Sequence, residues 1–353
     1  MCKFFRIVDI GVLLFFGIIG MSSSFQDIIV NTWPFTKATD AAWCELQMSG
    51  NVMKSVERGC TEAEYDLSIP TVGYGGSPNE KNVVALDAMI MNGDTMEVGA
   101  VASMPHVKNA IKVAHYVLKH TRHTLLVGND AAEFAREMGF TWENLSTENS
   151  TELWNQWKLK NCQPNFRRNV SPNPKQNCGP YKPISKKLLD DNYRVPGTVN
   201  EHHHDTIGMI AMNKSGSMAV GTSTNGAIFK VPGRVGDTAI PGSGGYVDST
   251  IGGAVGTGDG DILMRFLLSY QAVEFMRQGL HPSKACVESL RRVKQAGAWS
   301  GALVALNRAG EYGAACVGFS DYYISIRNVE TRNTTVTVKI NCFNPCTSTK
   351  EFG

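Results

Sequence analysis

The sequence has almost no excess of charge of either sign. Its 34 Lys and Arg residues stand against 32 Asp and Glu residues, which gives a formal net charge of +2 at pH 7. No long basic block is present, so the electrostatic footprint of a nucleic-acid-binding protein is missing. No internal repeat is found either. The partners of the chain are therefore to be sought in local sites.

Long apolar runs and nucleotide-binding motifs are also absent. The N-terminal apolar run, residues 10–19, is shorter than the roughly 18 residues that a membrane-spanning helix needs. The segments GTGDGD and GYGGSP are rich in glycine, but neither fits G-x-G-x-x-G or the Walker pattern with its Lys. With 42% hydrophobic residues over 353 positions, the chain can bury one large core or two smaller ones.

The N-terminus is typical of a secretory signal peptide. Lys3 and Arg6 precede the apolar run, and three serines follow at residues 22–24, so we expect residues 1–23 to be removed. Asp9 leaves open the alternative of a signal anchor that stays attached. After cleavage no transmembrane segment is expected. Five N-x-S/T sequons are then candidate glycosylation sites: Asn144, Asn149, Asn169, Asn213 and Asn333.

An oxidising compartment allows the cysteines to be read as disulfides. Nine are present, and the loss of Cys2 with the signal peptide leaves eight. Cys162 and Cys178 flank a proline-rich segment without helix or strand periodicity, which a disulfide would stabilise. Cys316 with Cys342 is the second predicted pair. Four cysteines stay unassigned: Cys44, Cys60, Cys286 and Cys346.

Helices and strands alternate from the start of the mature chain. Residues 27–35 predict a strand, and residues 36–50, with a Thr/Asp-rich start and a Gly at the end, predict a helix. Asn92-Gly93-Asp94 between two apolar runs indicates a hairpin. Apolar spacing of three and four predicts a helix over residues 107–120. No such pattern exists over residues 159–204, and a segment of this length is commonly functional or disordered.

A regular sequence pattern begins again at residue 206. TIGMIAM, NKSG and SMAVGTS predict a buried strand, a turn and the returning strand. Residues 259–280 predict one long helix, and residues 300–319 predict a strand pair that turns at Arg308-Ala309-Gly310.

Thr206 stands where the polar linker becomes this strand. A hydroxyl needs an adjacent base, and a threonine at a chain terminus carries one in its own α-amine, whose ordinary pKa is about 7.7–8.0. Cleavage of the Asp205-Thr206 bond would therefore expose nucleophile and base together. The alternative is a capped turn leading into a strand. The histidines at 202–204 are interpreted as a solvated linker, because three in succession point in different directions, and no metal site is expected.

Several blocks in fixed order resemble the glycosylasparaginases (aspartylglucosaminidases), a family of N-terminal nucleophile hydrolases. They are HDTIGMIAM, GTSTNG, GRVGDTAIPGSGGY and TGDGDILMRF, with VNTWPF, TVGYGGSPNE and NCQPN…NCGPYKP before them. The similarity covers most of the mature chain. It implies an α+β fold, a four-layer αββα sandwich, folded as one unit and cut into chains 24–205 and 206–353. These would form a heterodimer or a dimer of heterodimers.

The resemblance implies roles around the nucleophile. Thr206 would attack and its α-amine would act as base, after autocatalytic cleavage that involves Asp205 and is assisted by His204. Thr224 would hydrogen-bond near the hydroxyl or amine of Thr206 and tune it. Oxyanion stabilisation is implied for two more residues: Thr257 and Gly258. The alternative for that pair is an ordinary helix N-terminus with neighbouring aspartates.

The resemblance also implies a clamp for a free amino acid. Arg234 and Asp237 would hold the α-carboxylate and α-amine of the substrate, since a guanidinium fork matches a carboxylate and Asp accepts from an ammonium. The alternative is a surface ion pair of little energetic weight. Other residues implied at the substrate are Trp33, Thr71, Gly258, Asp259 and Gly260. By default Trp33 would be a core aromatic.

The expected reaction is hydrolysis of the amide bond between N-acetylglucosamine and an asparagine side chain, without metal or organic cofactor. The expected location is the lysosome, reached by the secretory route, or secretion. An acidic lumen would protonate an ordinary amine, so we expect a nearby cation, Arg234, to lower its pKa. Three alternatives stay open: an L-asparaginase or isoaspartyl peptidase, a threonine peptidase acting on proteins, and a non-catalytic secreted glycoprotein.

Overall fold

A computed structural model describes residues 25–184, 206–293 and 299–343 of the chain. The predicted signal peptide, the linker with His204 and Asp205, and Cys346 lie outside these ranges. Across the described residues, no helix combines the length and apolar character that crossing a membrane requires.

The described residues mix helices with three sheets, of eight, four and two strands, which confirms the predicted α+β class. The strands are β1 (Ile28–Asn31), β2 (Leu86–Asn92), β3 (Val98–Met104), β4 (Leu125–Val127), β5 (Val170–Ser171), β6 (Lys182–Pro183), β7 (Ile207–Met212), β8 (Met218–Thr224), β9 (Gly245–Asp248), β10 (Gly252–Gly258), β11 (Gly301–Asn307), β12 (Tyr312–Val317), β13 (Tyr322–Asn328) and β14 (Val336–Ile340). The helices are α1 (Thr36–Ser49), α2 (Val52–Tyr65), α3 (Ala110–His120), α4 (Gly128–Glu137), α5 (Glu148–Leu159), α6 (Gly260–Phe266), α7 (Leu268–Arg277) and α8 (Pro282–Arg291).

The larger sheet has eight strands in the order β14-β13-β1-β7-β8-β2-β3-β4. All neighbours are antiparallel except β3 and β4. The middle positions belong to β7 and β8, whose register pairs Ile207 with Ser223 and Met212 with Met218. The strand that begins after Thr206 therefore lies at the centre of the sheet.

Both faces of this sheet are covered, which explains the continuous apolar run of β7. Side chains alternate between the faces of a strand. Ile207, Met209 and Ala211 pack in a core with residues of α1, α2 and α3, whereas Ile210 and Met212 pack in a second core with residues of the other sheet. Buried on both sides, the strand loses the polar alternation of a solvent-facing strand.

The smaller sheet has four antiparallel strands in the order β12-β11-β10-β9. Its strands also alternate: Ala302 and Val304 of β11 face the larger sheet, and Leu303 and Ala305 face a third core that contains residues of α7 and α8. In the packing of the described residues the layers therefore follow one another as helices, eight-stranded sheet, four-stranded sheet and helices.

The long helix predicted for residues 259–280 is wrong, because the segment forms α6 and α7. Leu267 between them has a left-handed backbone with φ of 51°. The break turns α7 toward the loop before β9, where the Tyr270 N–H donates to the Gly242 carbonyl at 2.8 Å and the Ser269 hydroxyl donates to the Ser243 carbonyl at 2.7 Å. These tertiary hydrogen bonds compensate the local strain.

The other local predictions agree with the structure, except that the strand predicted for residues 27–35 is limited to β1, Ile28–Asn31. The helix predicted for residues 36–50 is α1, which ends at Gly50 with φ of 65°, and the predicted hairpins are β2–β3, β7–β8 and β11–β12. The helix predicted within residues 107–120 is α3. Both predicted disulfides, Cys162–Cys178 and Cys316–Cys342, are present. Among the described residues three cysteines are free, with Cys60 and Cys286 buried and Cys44 exposed.

Candidate active site

Thr206 is held immediately before the central strand β7 and is 5% exposed. The Thr32 hydroxyl donates to the Thr206 carbonyl at 3.0 Å and accepts from the Gly208 N–H at 2.9 Å. Thr32 follows β1, the neighbour of β7. One threonine side chain therefore bridges the backbone on both sides of Ile207 and fixes the direction in which the chain leaves the sheet.

Thr224 lies beside Thr206 at the same edge of the sheet. Since β7 and β8 are antiparallel and Ile207 pairs with Ser223, the next position in that register pairs 206 with 224. The Thr224 hydroxyl donates to the Thr71 carbonyl at 3.1 Å and accepts from the Gly226 N–H at 2.9 Å. Thr71, predicted to line the site, thus acts through its backbone on Thr224.

Thr257 and Gly258 approach from the end of β10 in the smaller sheet. The Trp33 indole N–H donates to the Thr257 hydroxyl oxygen at 3.0 Å, which holds this side chain in place. Trp33 is itself fixed by edge contacts with Phe319 and Tyr322. Gly258 has φ of 121°, and a Cβ there would lie 2.4 Å from the Ser300 carbonyl oxygen. Only glycine fits at this position.

Arg234 and Asp237 lie in the loop that connects β8 with β9, and they do not form an ion pair with each other. Arg234 instead pairs with Asp261, which accepts from Nη2 at 2.9 Å and from Nε at 3.3 Å. Asp237 is 2% exposed, and its Oδ2 is a buried atom without a hydrogen-bond partner among the described residues. The surface ion pair considered as an alternative is therefore wrong.

The charged residues of this loop shift one another's pKa. Burial raises the pKa of Asp237 to about 7, against the opposing effect of Arg234. Burial alone would lower the pKa of Arg234, but the carboxylate of Asp261, with Asp87 and Asp237 farther away, leaves it raised. Arg234 therefore stays a cation, whereas Asp237 changes its charge near neutral pH.

Six of the predicted residues line one small cleft: Thr206, Thr224, Arg234, Asp237, Gly258 and Gly260. Trp33 and Thr71 support it through Thr257 and Thr224. Asp259 caps α6 by accepting from the Ile262 N–H at 3.3 Å and is not among the lining residues. His204 and Asp205 lie outside the described residues. No metal-binding group of three or more His, Cys, Asp or Glu side chains occurs in the described ranges.

The sequence reasoning did not identify several residues that shape this cleft. Gly226, Gly236 and Thr238 line it, and Thr238 carries a buried hydroxyl without a partner among the described residues. Thr32 could have been noticed inside the NTWPF block. Lys230 could also have been noticed, because it is a single charge within the apolar stretch AIFKVP between two of the quoted blocks.

Comparison with known protein families extends this picture. Residues 12–336 match a family model described as asparaginase. The chain is 49% identical over 319 residues to the N(4)-(beta-N-acetylglucosaminyl)-L-asparaginase of Rattus norvegicus, covering 89% of this chain and 92% of the relative. It is 50% identical over 313 residues to the Mus musculus protein of the same name, covering 87% and 90%. A putative relative of that name in Drosophila melanogaster is 50% identical over 303 residues, covering 84% and 77%. Since the family model spans most of the chain, the protein belongs to the asparaginase family.

Proposed function

We propose that this protein hydrolyses the amide bond between N-acetylglucosamine and an asparagine side chain, after cleavage between Asp205 and Thr206. The observation that carries the proposal is that Thr206 shares one cleft with Arg234 and with Asp237, whose Oδ2 has no hydrogen-bond partner among the described residues. A nucleophile beside two groups that recognise a free amino acid suits an asparagine derivative. The names of the mammalian relatives support the same activity.

Recognition of the substrate's α-groups follows from the two charged residues. Asp261 occupies Nε and Nη2 of Arg234, whereas Nη1 lies 3.2 Å from the position of a Cβ on Gly226, which lines the cleft. Nη1 would donate to the α-carboxylate. Asp237 Oδ2 would accept from the α-ammonium group, and this contact would replace the hydrogen bond that the buried oxygen lacks. A residue within a peptide chain has neither α-group free, which disfavours a general protein substrate.

The reaction needs only groups of this chain. The freed α-amine of Thr206 would take the proton of its own hydroxyl while the oxygen attacks the side-chain carbonyl carbon. Thr257 and the Gly258 N–H would stabilise the oxyanion. The C–N bond then breaks, the proton passes to the departing glycosylamine, and an ester with Thr206 is left. Water attacks this ester and gives a proton to the amine; the bond between the carbonyl carbon and Thr206 Oγ then breaks, a proton returns from the amine to that oxygen, and aspartate is released.

The position of Arg234 supports a lowered pKa for the α-amine of a cleaved Thr206. Both residues line the same small cleft, and a cation near an amine disfavours its protonation. An amine tuned in this way would act as a base below its ordinary range of about 7.7–8.0. Such a shift would suit the proposed destination, the lysosome reached through the signal peptide at residues 1–23.

We also propose that the layers form the four-layer αββα sandwich of N-terminal nucleophile hydrolases, cut into chains 24–205 and 206–353. In the larger sheet, β7, β8, β13 and β14 of the second chain interleave with strands of the first. Neither of the two disulfides found among the described residues joins the two chains. Strand pairing would therefore hold them together as a heterodimer, with a dimer of heterodimers as the larger assembly.

Processing of the purified protein is the first test. Intact mass and N-terminal sequencing should reveal a chain that begins at Thr206, and Thr206→Ala should remain uncut. Hydrolysis of N-acetylglucosaminyl-asparagine should fall about a thousandfold or more in the variant, because the nucleophile is removed. Thr95→Ala, on the exposed turn after β2, is the control and should be cut normally. A single uncut wild-type chain would refute the proposal.

Substrate choice is tested separately. The wild-type protein should turn over N-acetylglucosaminyl-asparagine with a higher kcat/KM than a β-aspartyl dipeptide. The reverse preference would assign an isoaspartyl peptidase, and equal inactivity on both would favour a non-catalytic glycoprotein.

A further inference from the structure

Lys230 is a fully buried lysine that the proposed mechanism does not use. It is 1% exposed, and no carboxylate of the described residues lies within ion-pair distance of its Nζ. The ammonium group donates to the Asn225 carbonyl at 2.8 Å and to the Ala85 carbonyl at 3.2 Å. An unpaired buried charge is costly. A residue of lower cost could fill the volume, so the charge itself requires an explanation.

The position of this ammonium group relates it to the cleft. Gly226 lines the cleft, and a Cβ on Gly226 would lie 2.8 Å from Lys230 Nζ and 3.2 Å from Arg234 Nη1. Two cations therefore lie close to the same side of one glycine. The same glycine donates its N–H to the Thr224 hydroxyl. The turn formed by Asn225 and Gly226 is consequently tied both to Lys230, through the Asn225 carbonyl, and to the site, through the Thr224 hydroxyl.

Neighbouring residues hold Lys230 in this place. Phe229 stacks on Trp157 with ring centroids 4.8 Å apart and donates its N–H to the Pro78 carbonyl at 2.7 Å. The carbonyl of Lys230 accepts from the Glu80 N–H at 3.0 Å. These contacts fix the backbone of Lys230 and the side chain before it, and the lysine side chain itself is buried.

We propose that Lys230 is a positioning residue that holds the Asn225–Gly226 turn and supplies a second positive charge, behind Arg234, for recognition of the substrate's α-carboxylate. This inference rests on the proposed function. In a buried site a second cation attracts a carboxylate more strongly than it would in water. It would also oppose binding of analogues in which the carboxylate is neutral.

The charge of Lys230 depends on its surroundings. Burial lowers its pKa to about 8; Asp87 works in the opposite direction, and Arg234 lowers it further. Asp87 accepts from the Ser103 N–H at 2.6 Å, and its Oδ2 has no partner among the described residues. Three more carboxylates interact electrostatically with Arg234: Asp237, Asp259 and Asp261. Lys230 is therefore a cation below about pH 8.

The test compares inhibition by L-aspartate with inhibition by its α-carboxamide at pH 7. Lys230→Met should reduce the preference for L-aspartate about tenfold, the effect of a ~1.4 kcal/mol interaction. Lys230→Arg should restore most of it, and Lys108→Met, which removes an ion pair with Glu143, should leave it unchanged. A preference unchanged in Lys230→Met would overturn the proposal and leave Lys230 with a packing role.

Folding and function are controlled for in the same experiment. Each variant is first checked for its melting temperature and for a chain that begins at Thr206. If Lys230→Met does not fold, Lys230→Gln replaces it. If neither folds, succinate, which has no amine, is titrated against the wild-type protein, and inhibition that stays constant from about pH 7 to 9.5 overturns the proposal. Wild-type protein that binds no aspartate at all would refute the proposed function instead.

Discussion

At the scale of single residues, Asp237 makes ligand binding depend on pH. Its raised pKa of about 7 means that the carboxylate forms only as the pH rises through neutrality. We expect the affinity for L-aspartate to weaken as the pH falls below about 7, approaching tenfold per pH unit, because the α-ammonium group loses its anionic partner. Titration calorimetry between pH 5 and 8 measures this dependence.

The control for this prediction distinguishes titration of Asp237 from titration of the α-amine of Thr206 as the cause of the pH dependence. Succinate lacks the ammonium group, so its affinity should not weaken over the same range. Asp237→Asn should bind L-aspartate weakly at every pH. If aspartate and succinate show the same dependence in the wild-type protein, the carboxylate of Asp237 does not receive the ammonium group.

At the scale of elements, the segment stapled by Cys162–Cys178 supports the cleft. Trp157 near the end of α5 stacks on Phe229, the residue before Lys230, and Cys162 belongs to the same small core. Replacing both cysteines by serine should cost about 3 kcal/mol of stability by the loop-closure argument. It should also raise KM severalfold, because the loop that carries Arg234 loses its support. Thermal unfolding and steady-state kinetics measure both effects.

The second disulfide is the matched control. Cys316–Cys342 ties β12 to the segment after β14, and its cysteines are not in the core that contains Phe229. Its removal should lower the melting temperature by a similar amount and leave KM unchanged. If removal of either disulfide changed KM by the same amount, the effect of Cys162–Cys178 on KM would come from lower overall stability and not from local support of the cleft.

At the scale of the whole molecule, buried carboxyl groups should set how stability depends on pH. Burial raises the pKa of Glu64 to about 8, although hydrogen bonds from Ser223 and the Ile111 N–H work against the shift. The folded state therefore holds a proton that the unfolded state, with an ordinary pKa near 4.5, releases. Between these values stability falls as the pH rises, by up to about 1.4 kcal/mol per pH unit.

The Glu64→Gln variant should flatten this fall in melting temperature between pH 5.5 and 7.5. Glu62→Gln is the control, because Glu62 lies on the same helix in a partly exposed pair with Arg58 and should change little. The range stops below pH 8, where the lowered pKa of Lys230 begins to act with the opposite sign. A wild-type melting temperature that rises steadily across this range would contradict the assignment.

Part of this structure could be predicted from interactions between residues that are near in sequence. The helix α1 begins and ends where its composition predicts, and the hairpin turns follow from short Asn- and Gly-containing segments. The break at Leu267 was not predictable, since the segment has an uninterrupted helical pattern and its interruption depends on hydrogen bonds to Gly242 and Ser243. The disulfide of Cys162 was predictable because it joins positions near in sequence around a segment without its own core.

The order of the blocks along the chain determined which residues are candidates for the site, because Thr206, Arg234, Asp237 and Gly258 could be named from their neighbours. The sequence alone also determined the α+β class, through periodicities that depend on adjacent residues. Only the tertiary structure decided that Arg234 pairs with Asp261, that Asp237 Oδ2 has no hydrogen-bond partner among the described residues, and that Lys230 is buried next to Gly226. These contacts join residues on different elements, and burial, which controls their charges, is a property of the packed molecule.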